Sequence, residues 1–302
     1  MADVAVVHLV RRANGAAPLE RFLASYREKR AGLDHGLIVV FKGFRGQAVS
    51  GEYARLLEGL PHEALHLPDR GFDLQPYFVA ARRFQYRYFC FLNSFSRVLS
   101  SDWLAKLHRW AVKPGTGVVG ATASYESFVR GHEERRRELE ALRPWPRFRS
   151  RFRHVVSDPS PRLVAQRTGA WLFDSVGLWK PARHFPPFPN YHVRTNAFMA
   201  PREVLLRIHL RPFLFKLSAY LLESGRDGVT QQVMRMGLRP LLVDRSGEKF
   251  EKERWHLANT FRQSRQEDLL VEDNQTEAYA KADSEQRIRL SRAAWGEYAR
   301  PV

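Results

Sequence analysis

Side chains able to bind or move charge gather at a few points of the chain. Residues 69–102 hold the densest set: Asp69, Gly71 and Asp73 in a turn, then Asn93, Ser94 and Ser96 after an apolar run. His192, Arg194 and Asn196 alternate with Val193, Thr195 and Ala197, and Glu223 and Asp227 enclose Ser-Gly-Arg. Arg11 and Lys42 each close a run of aliphatic residues. A carboxylate can take the proton of a hydroxyl. A guanidinium grips phosphate oxygens through paired, charge-assisted hydrogen bonds. Such a set suits a small molecule carrying hydroxyls and phosphates.

The elements that would position these groups follow from pattern. Asp73 can cap a helix whose first turn accepts Pro76, since a missing N–H costs nothing there. Tyr77, Ala81, Phe84 and Tyr88 recur at helical spacing. Residues 88–92 are then a short aromatic, apolar strand of the kind covered on both faces. Asn93, Ser94 and Ser96 fall at its carboxyl end, where open α/β sheets bind ligands. Residues 4–10 and 37–41 read as buried strands joined by a helix that opens at Pro18 and buries Leu19, Phe22, Leu23 and Tyr26. That is a right-handed βαβ unit and implies a parallel sheet. Helices are expected over 52–60, from a cap at Asp102 through Trp110, over 214–223, and from a cap at Asp227 through Met236. Residues 118–122 and 241–244 add strands, for about seven in all. Ser124, Tyr125, Glu126 and Ser127 follow one of them on the presumed rim. Residues 191–200 alternate as a half-buried strand with a polar face. The expectation is a mostly parallel α/β sheet flanked by helices over residues 1–245. A partly helical carboxyl-terminal extension over 246–302 would wrap the domain or make a homodimer contact.

Composition narrows the class. The 302 residues are 44% hydrophobic, enough for a large core. The single cysteine, Cys90, excludes an internal disulfide and reads as a small buried hydrophobe. No apolar run reaches membrane-spanning length, and an acid stands where a secretory signal would carry positive charge. The chain is therefore expected in the cytoplasm. Its net charge of +17, from 49 Lys plus Arg against 32 Asp plus Glu, draws it toward polyanions. Residues 143–153 interleave Arg with Trp and Phe, and 202–216 form a second basic, apolar stretch. Both suit an anionic membrane surface, at the inner face of the cytoplasmic membrane; both also suit solvated loops packing their rings inward. No P-loop, dinucleotide fingerprint, nucleophile elbow or zinc spacing is present, Gly115–Gly120 preceding a strand instead of following one.

The order of turn, helix, apolar strand and Leu-Asn-Ser end resembles nucleotide-sugar glycosyltransferases of the GT-A type. It is nearest to the polysaccharide-building branch typified by rhamnan-synthesis protein F. There an Asn-x-Gly-x-Asp turn precedes a Leu-Asn-Asp-Ser strand end. Here Asp69 stands for the Asn, Gly71 and Asp73 match, and Asn93 and Ser94 match if the intervening Asp is deleted. The resemblance implies a Rossmann-like GT-A domain and transfer of a sugar from a nucleotide-diphosphate donor to a glycan or lipid-linked acceptor, in bacterial surface polysaccharide synthesis and by inversion. It implies donor contacts from Arg11, Lys42, Asp69, Gly71, Asp73, Asn93, Ser94 and Arg194, with Arg194 neutralising the leaving diphosphate. His192 and Asn196 would meet the acceptor, and Glu223 or Asp227 would act as base. Mn²⁺ or Mg²⁺ is the family's usual cofactor, but the Asp-x-Asp that holds it is not intact here, and no metal ligand is assigned. Bland alternatives stand beside these roles: Arg11 and Lys42 as surface cations, Asp227 as a helix cap, residues 191–200 as an edge strand. A basic nucleic-acid-binding protein and a non-catalytic scaffold of transferase fold are the rival functions, although no nucleic acid is expected as partner.

Overall fold

The computed structural model describes residues 2–44, 51–69, 74–130, 133, 181–210 and 216–300. Its centre is an eight-stranded sheet ordered β11-β10-β6-β9-β4-β1-β2-β3. β1 (Val4–Arg11), β2 (Gly36–Lys42), β3 (Glu63–Leu67) and β4 (Tyr88–Leu92) lie mutually parallel. β6 (Thr116–Gly120) and β10 (Arg239–Val243) run parallel to each other. Between β4 and β6 runs β9 (Ala197–Pro201), antiparallel to both, and β11 (Lys249–Glu251) closes the far edge antiparallel to β10. Short pairs flank the sheet: β5 (Arg97–Val98) with β12 (Val271–Glu272), and β7 (Ala123–Ser124) with β8 (His192–Val193).

The sheet is covered on both faces, which is why β1, β2 and β4 read as unbroken apolar runs. Ala5, Val7, Leu9, Ile38, Val40, Phe89 and Phe91 feed one core. The alternate residues Val4, Val6, Val10, Leu37, Val39, Phe41, Cys90 and Leu92 feed the other. α1 (Ala17–Glu28) and α4 (Trp103–Ala111) bury Phe22, Leu23, Trp103 and Leu107 on the second face. α3 (Leu74–Arg83) and α6 (Arg202–Arg207) bury Tyr77, Phe78, Val204 and Leu205 on the first. α2 (Glu52–Leu57), α5 (Pro181–His184), α7 (Lys216–Ser224) and α8 (Val229–Arg235) are further helices among the described residues before 246.

Residues 246–300 share this core. β11 pairs into the main sheet, and Trp255, Phe261, Ala294 and Trp295 join the first cluster. The α-helical part of this extension is two helices, α9 (Asn274–Lys281) and α10 (Ser284–Trp295). The break has a local cause: Asp283 accepts from the Gln286 backbone N–H and starts a new helix, as Asp273 does for α9.

Other local expectations need correction. Residues 191–200 are not one strand with a wet face. β8 pairs with β7, the chain turns through Arg194–Asn196, and β9 then enters the sheet fully buried. His192, Arg194 and Asn196 alternate because the turn needs polar groups inside the protein, and all three are buried. Gly120 permits this turn, since a Cβ there would meet Val193 Cγ1 at 2.4 Å. Asp102 opens α4 in a left-handed conformation without capping it and pairs with Arg30. Gly228, not Asp227, is the N-cap of α8. Residues 143–153 lie outside the described residues. Of the second basic stretch, Val204, Leu205 and Ile208 face the core, while Leu206 is exposed. Among the described residues no helix is long and apolar enough to cross a membrane.

Candidate functional site

Two polar clusters stand at the carboxyl ends of the parallel strands, where free backbone groups and chain reversals let polar side chains meet. Over β1–β3, Arg11 donates from Nε and Nη2 to both oxygens of Asp69, at 2.9 and 3.0 Å. Lys42, almost fully buried, brings Nζ to 3.7 Å from the same carboxylate. The Arg11 hydrogen bond, with help from Lys42, holds the Asp69 carboxyl below its ordinary value. Gly43, in the left-handed region, lets Asp69 approach, because a Cβ there would touch Asp69 Cβ at 3.0 Å. Gly71 and Asp73 lie outside the described residues.

The second cluster lies over β4, β9 and β6. The Asn93 backbone N–H donates to the Asn196 carbonyl at 2.9 Å, tying the end of β4 to the turn before β9. Asn93 Oδ1 accepts from Phe95 N–H and Ser96 Oγ, so this side chain shapes its own loop. Thr122, just past β6, donates its hydroxyl to Asn196 Oδ1 at 2.5 Å, and its carbonyl accepts from Arg194 N–H. Three buried polar atoms here have no hydrogen-bond partner among the described residues: Ser94 Oγ, Asn196 Nδ2 and Arg194 Nη1. Buried donors without partners cost about 1–3 kcal/mol each.

The carboxyl-terminal segment closes this cluster from above. Arg194 Nη2 donates to Asp273 Oδ2 at 3.0 Å, and both side chains are buried. The Arg194 guanidinium lies 3.9 Å from the centre of the Phe261 ring. Arg262 packs on the same ring at 4.8 Å and pairs with Glu126 at 3.6 Å. Burial pulls Arg262 below its ordinary value, and Glu126 opposes this. The sequence pattern places Glu126 on the rim but gives no role to Phe261, Arg262 or Asp273. The Asp-x-x-Thr spacing of Asp273 and Thr276 is a capping-box signal that could have flagged the last.

Glu223, on α7, accepts from both the backbone N–H and the hydroxyl of Thr195 on Oε1, at 3.1 and 3.2 Å. It therefore sits one residue from both Arg194 and Asn196. His192 Nδ1 donates to the Asn190 carbonyl, which leaves Nε2 as the unprotonated nitrogen of the neutral ring. Burial holds His192 below its ordinary value, and the Glu223 charge works the other way. Asp227 stands apart, exposed and paired with Arg235 at 3.2 Å. The structure thus brings Asn93, Ser94, His192, Arg194, Asn196 and Glu223 together, sets Arg11, Lys42 and Asp69 over the neighbouring strands, and leaves Asp227 outside.

Among the described residues no three His, Cys, Asp or Glu side chains converge as ligands. Asp69 is engaged by two cations, and Asp273 by Arg194 and a helix start. A cavity of about 120 Å³ opens beside the Asn93 loop, lined by Arg21, Phe95, Arg97, Glu272 and Glu277. A wider depression lined by Arg30, Gly32, His35 and Asp102 lies at the amino-terminal end of β2, away from the polar strand tips.

No protein-family model matches the chain, and no curated protein matches it in sequence. Among solved structures it is similar to mannosyltransferase PcManGT from Pyrobaculum calidifontis in complex with GDP-Man and Mn²⁺. The identity is 14% and the TM-score 0.45, over 79% of this chain and 54% of that one. It is also similar to TarS of S. aureus, at 12% identity and a TM-score of 0.31, over 39% of this chain and 21% of that one. The chain spans about half the length of the mannosyltransferase. At these scores the likenesses carry no weight of their own, and the architecture rests on strand order and register.

Proposed function

We propose that the chain is a GT-A-type glycosyltransferase, taking a sugar from a nucleotide-diphosphate donor to a glycan or lipid-linked acceptor. The observation that carries this reading is the set of buried donors without a partner among the described residues, Arg194 Nη1, Asn196 Nδ2 and Ser94 Oγ, together with Glu223, whose carboxylate accepts from Thr195 between Arg194 and Asn196. Donors for an oxyanion next to a base are what group transfer from a phosphate to a hydroxyl requires. In this reading Asp69, with Arg11 and Lys42, lies toward the nucleoside. Asn93 and Ser94 hold donor hydroxyls, and His192 and Asn196 face the acceptor. Glu223 takes the acceptor proton as its oxygen bonds to the anomeric carbon. The bond from that carbon to the phosphate oxygen breaks with inversion, and Arg194 receives the departing diphosphate. Asp227, paired with Arg235, is left out of the base role. Work in bacterial surface polysaccharide synthesis at the cytoplasmic membrane is the setting proposed for it.

The test is turnover over a panel of nucleotide sugars, with and without Mn²⁺ or Mg²⁺, for the wild type and Glu223→Gln. Turnover should fall by about two orders of magnitude or more in the variant, with nucleoside diphosphate affinity nearly unchanged. Unchanged turnover removes Glu223 from the base role. A protein that binds nucleotide sugars without consuming them is the non-catalytic scaffold instead.

A further inference from the structure

Phe261 is a buried ring shared by two guanidinium groups, Arg194 at 3.9 Å and Arg262 at 4.8 Å. Two cations on one desolvated ring repel each other unless anions offset them. Asp273 and Glu126 supply one carboxylate each. Yet each guanidinium keeps a buried N–H without a partner among the described residues: Nη1 of Arg194 and Nε of Arg262. The Arg194 side chain is 6% exposed. Asp273 cannot take up the remaining donors, because its Oδ1 already accepts from the Gln275 and Thr276 N–H groups that start α9.

The backbone that delivers Arg262 is itself constrained. Asn259, Arg262, Ser264 and Gln266 all have positive φ, between 45° and 55°. None is glycine, and such conformations persist where surroundings over-determine them, often at ligand clamps. Here Gln266 Oε1 accepts from Arg262 N–H, Gln263 bridges to the His256 and Tyr298 carbonyls, and Trp295 Nε1–H donates to the Phe261 carbonyl. Residues 246–300 thereby fix a cation over a cluster otherwise built from residues 93–223.

We propose that Arg262 is a ligand-binding residue. With Arg194 it forms a two-guanidinium site for phosphate oxygens, completed by Ser94 Oγ and Asn196 Nδ2, and the carboxyl-terminal segment is part of the binding machinery. The ligand class is a diphosphate. Its several oxygens suit the fork geometry of two guanidinium groups whose single carboxylate partners leave donors over. The site rests on the transferase reading only for the sugar attached to that diphosphate.

The experiment is calorimetric titration of the full chain with inorganic pyrophosphate, UDP, GDP and the two nucleosides, for the wild type, Arg262→Met and Arg262→Lys. The expected result is a loss of about tenfold or more in pyrophosphate and nucleoside diphosphate affinity for Arg262→Met, with nucleoside binding unchanged. Arg262→Lys, which keeps the charge without the fork, should recover part of that loss and stands in if the Met variant does not fold. Equal affinities in wild type and folded variants overturn the proposal while leaving the transferase reading in place. A wild type that binds neither pyrophosphate nor either nucleotide also overturns it. Arg262-dependent pyrophosphate binding without turnover of any nucleotide sugar keeps the site and removes the transferase.

Discussion

Replacing Asp273 with Asn separates the two things that residue does. Asn keeps an oxygen for the start of α9 but removes the charge opposite Arg194, whose guanidinium has no other carboxylate at bonding distance among the described residues. Stranding one member of a buried ion pair costs about 3–5 kcal/mol. The Phe261 face, 3.9 Å from that guanidinium, returns part of this, since a desolvated cation–π contact gives about 2 kcal/mol. Asp273→Asn should therefore cost about 1–3 kcal/mol. Arg194→Met should cost a similar amount, because the stranded carboxylate keeps two backbone N–H donors on Oδ1. In the double variant neither charge is stranded, so its cost should fall short of the sum by about 2 kcal/mol. Urea unfolding of the four proteins, at unchanged slope, measures this directly. A coupling below about 0.5 kcal/mol would refute the pairing, because independent sites add to within that margin.

His8 lies at the centre of β1, stacked on Phe22 at 3.7 Å, with both ring nitrogens unpartnered. Burial lowers it from 6.5 to about 3. Above pH 6.5 both states are neutral there; below it the unfolded chain takes the proton first, so stability falls as pH drops toward 3. His8→Leu should remove about 3 kcal/mol of the stability lost between pH 7.5 and 4.5, read as a flatter urea midpoint against pH; parallel curves would show that His8 is not the source. Trp295→Ala deletes a fully buried ring that also donates to the Phe261 carbonyl. It should cost about 3–5 kcal/mol by thermal or urea unfolding, and a loss under 1 kcal/mol would mean the carboxyl-terminal segment is not core.

The parallel half of the sheet was legible because strands covered on both faces are written as unbroken apolar runs, as in 4–10, 37–41 and 88–92. Cys90, in the middle of one, is buried as its neighbours required. The turn at 194–196 was not legible. A polar turn inside the protein and a strand with one wet face have the same alternation in sequence, and only the β7–β8 pairing distinguishes them. Glu223 could be named, but Thr195, which orients it, could not, being 28 residues away. The largest omission, Arg262 with Phe261 and Asp273, follows from irregular backbone. Left-handed residues outside glycine leave no periodic trace, so the segment reads as a basic tail until its contacts are seen.

The most direct test of the central claim is titration of the full chain with nucleotide sugars, nucleoside diphosphates and single-stranded oligonucleotides over a range of salt. Saturable binding of one nucleoside diphosphate sugar, weakened at least tenfold by Arg194→Met, is the predicted result. Binding of oligonucleotides alone, with affinity falling steeply as salt rises, would contradict it.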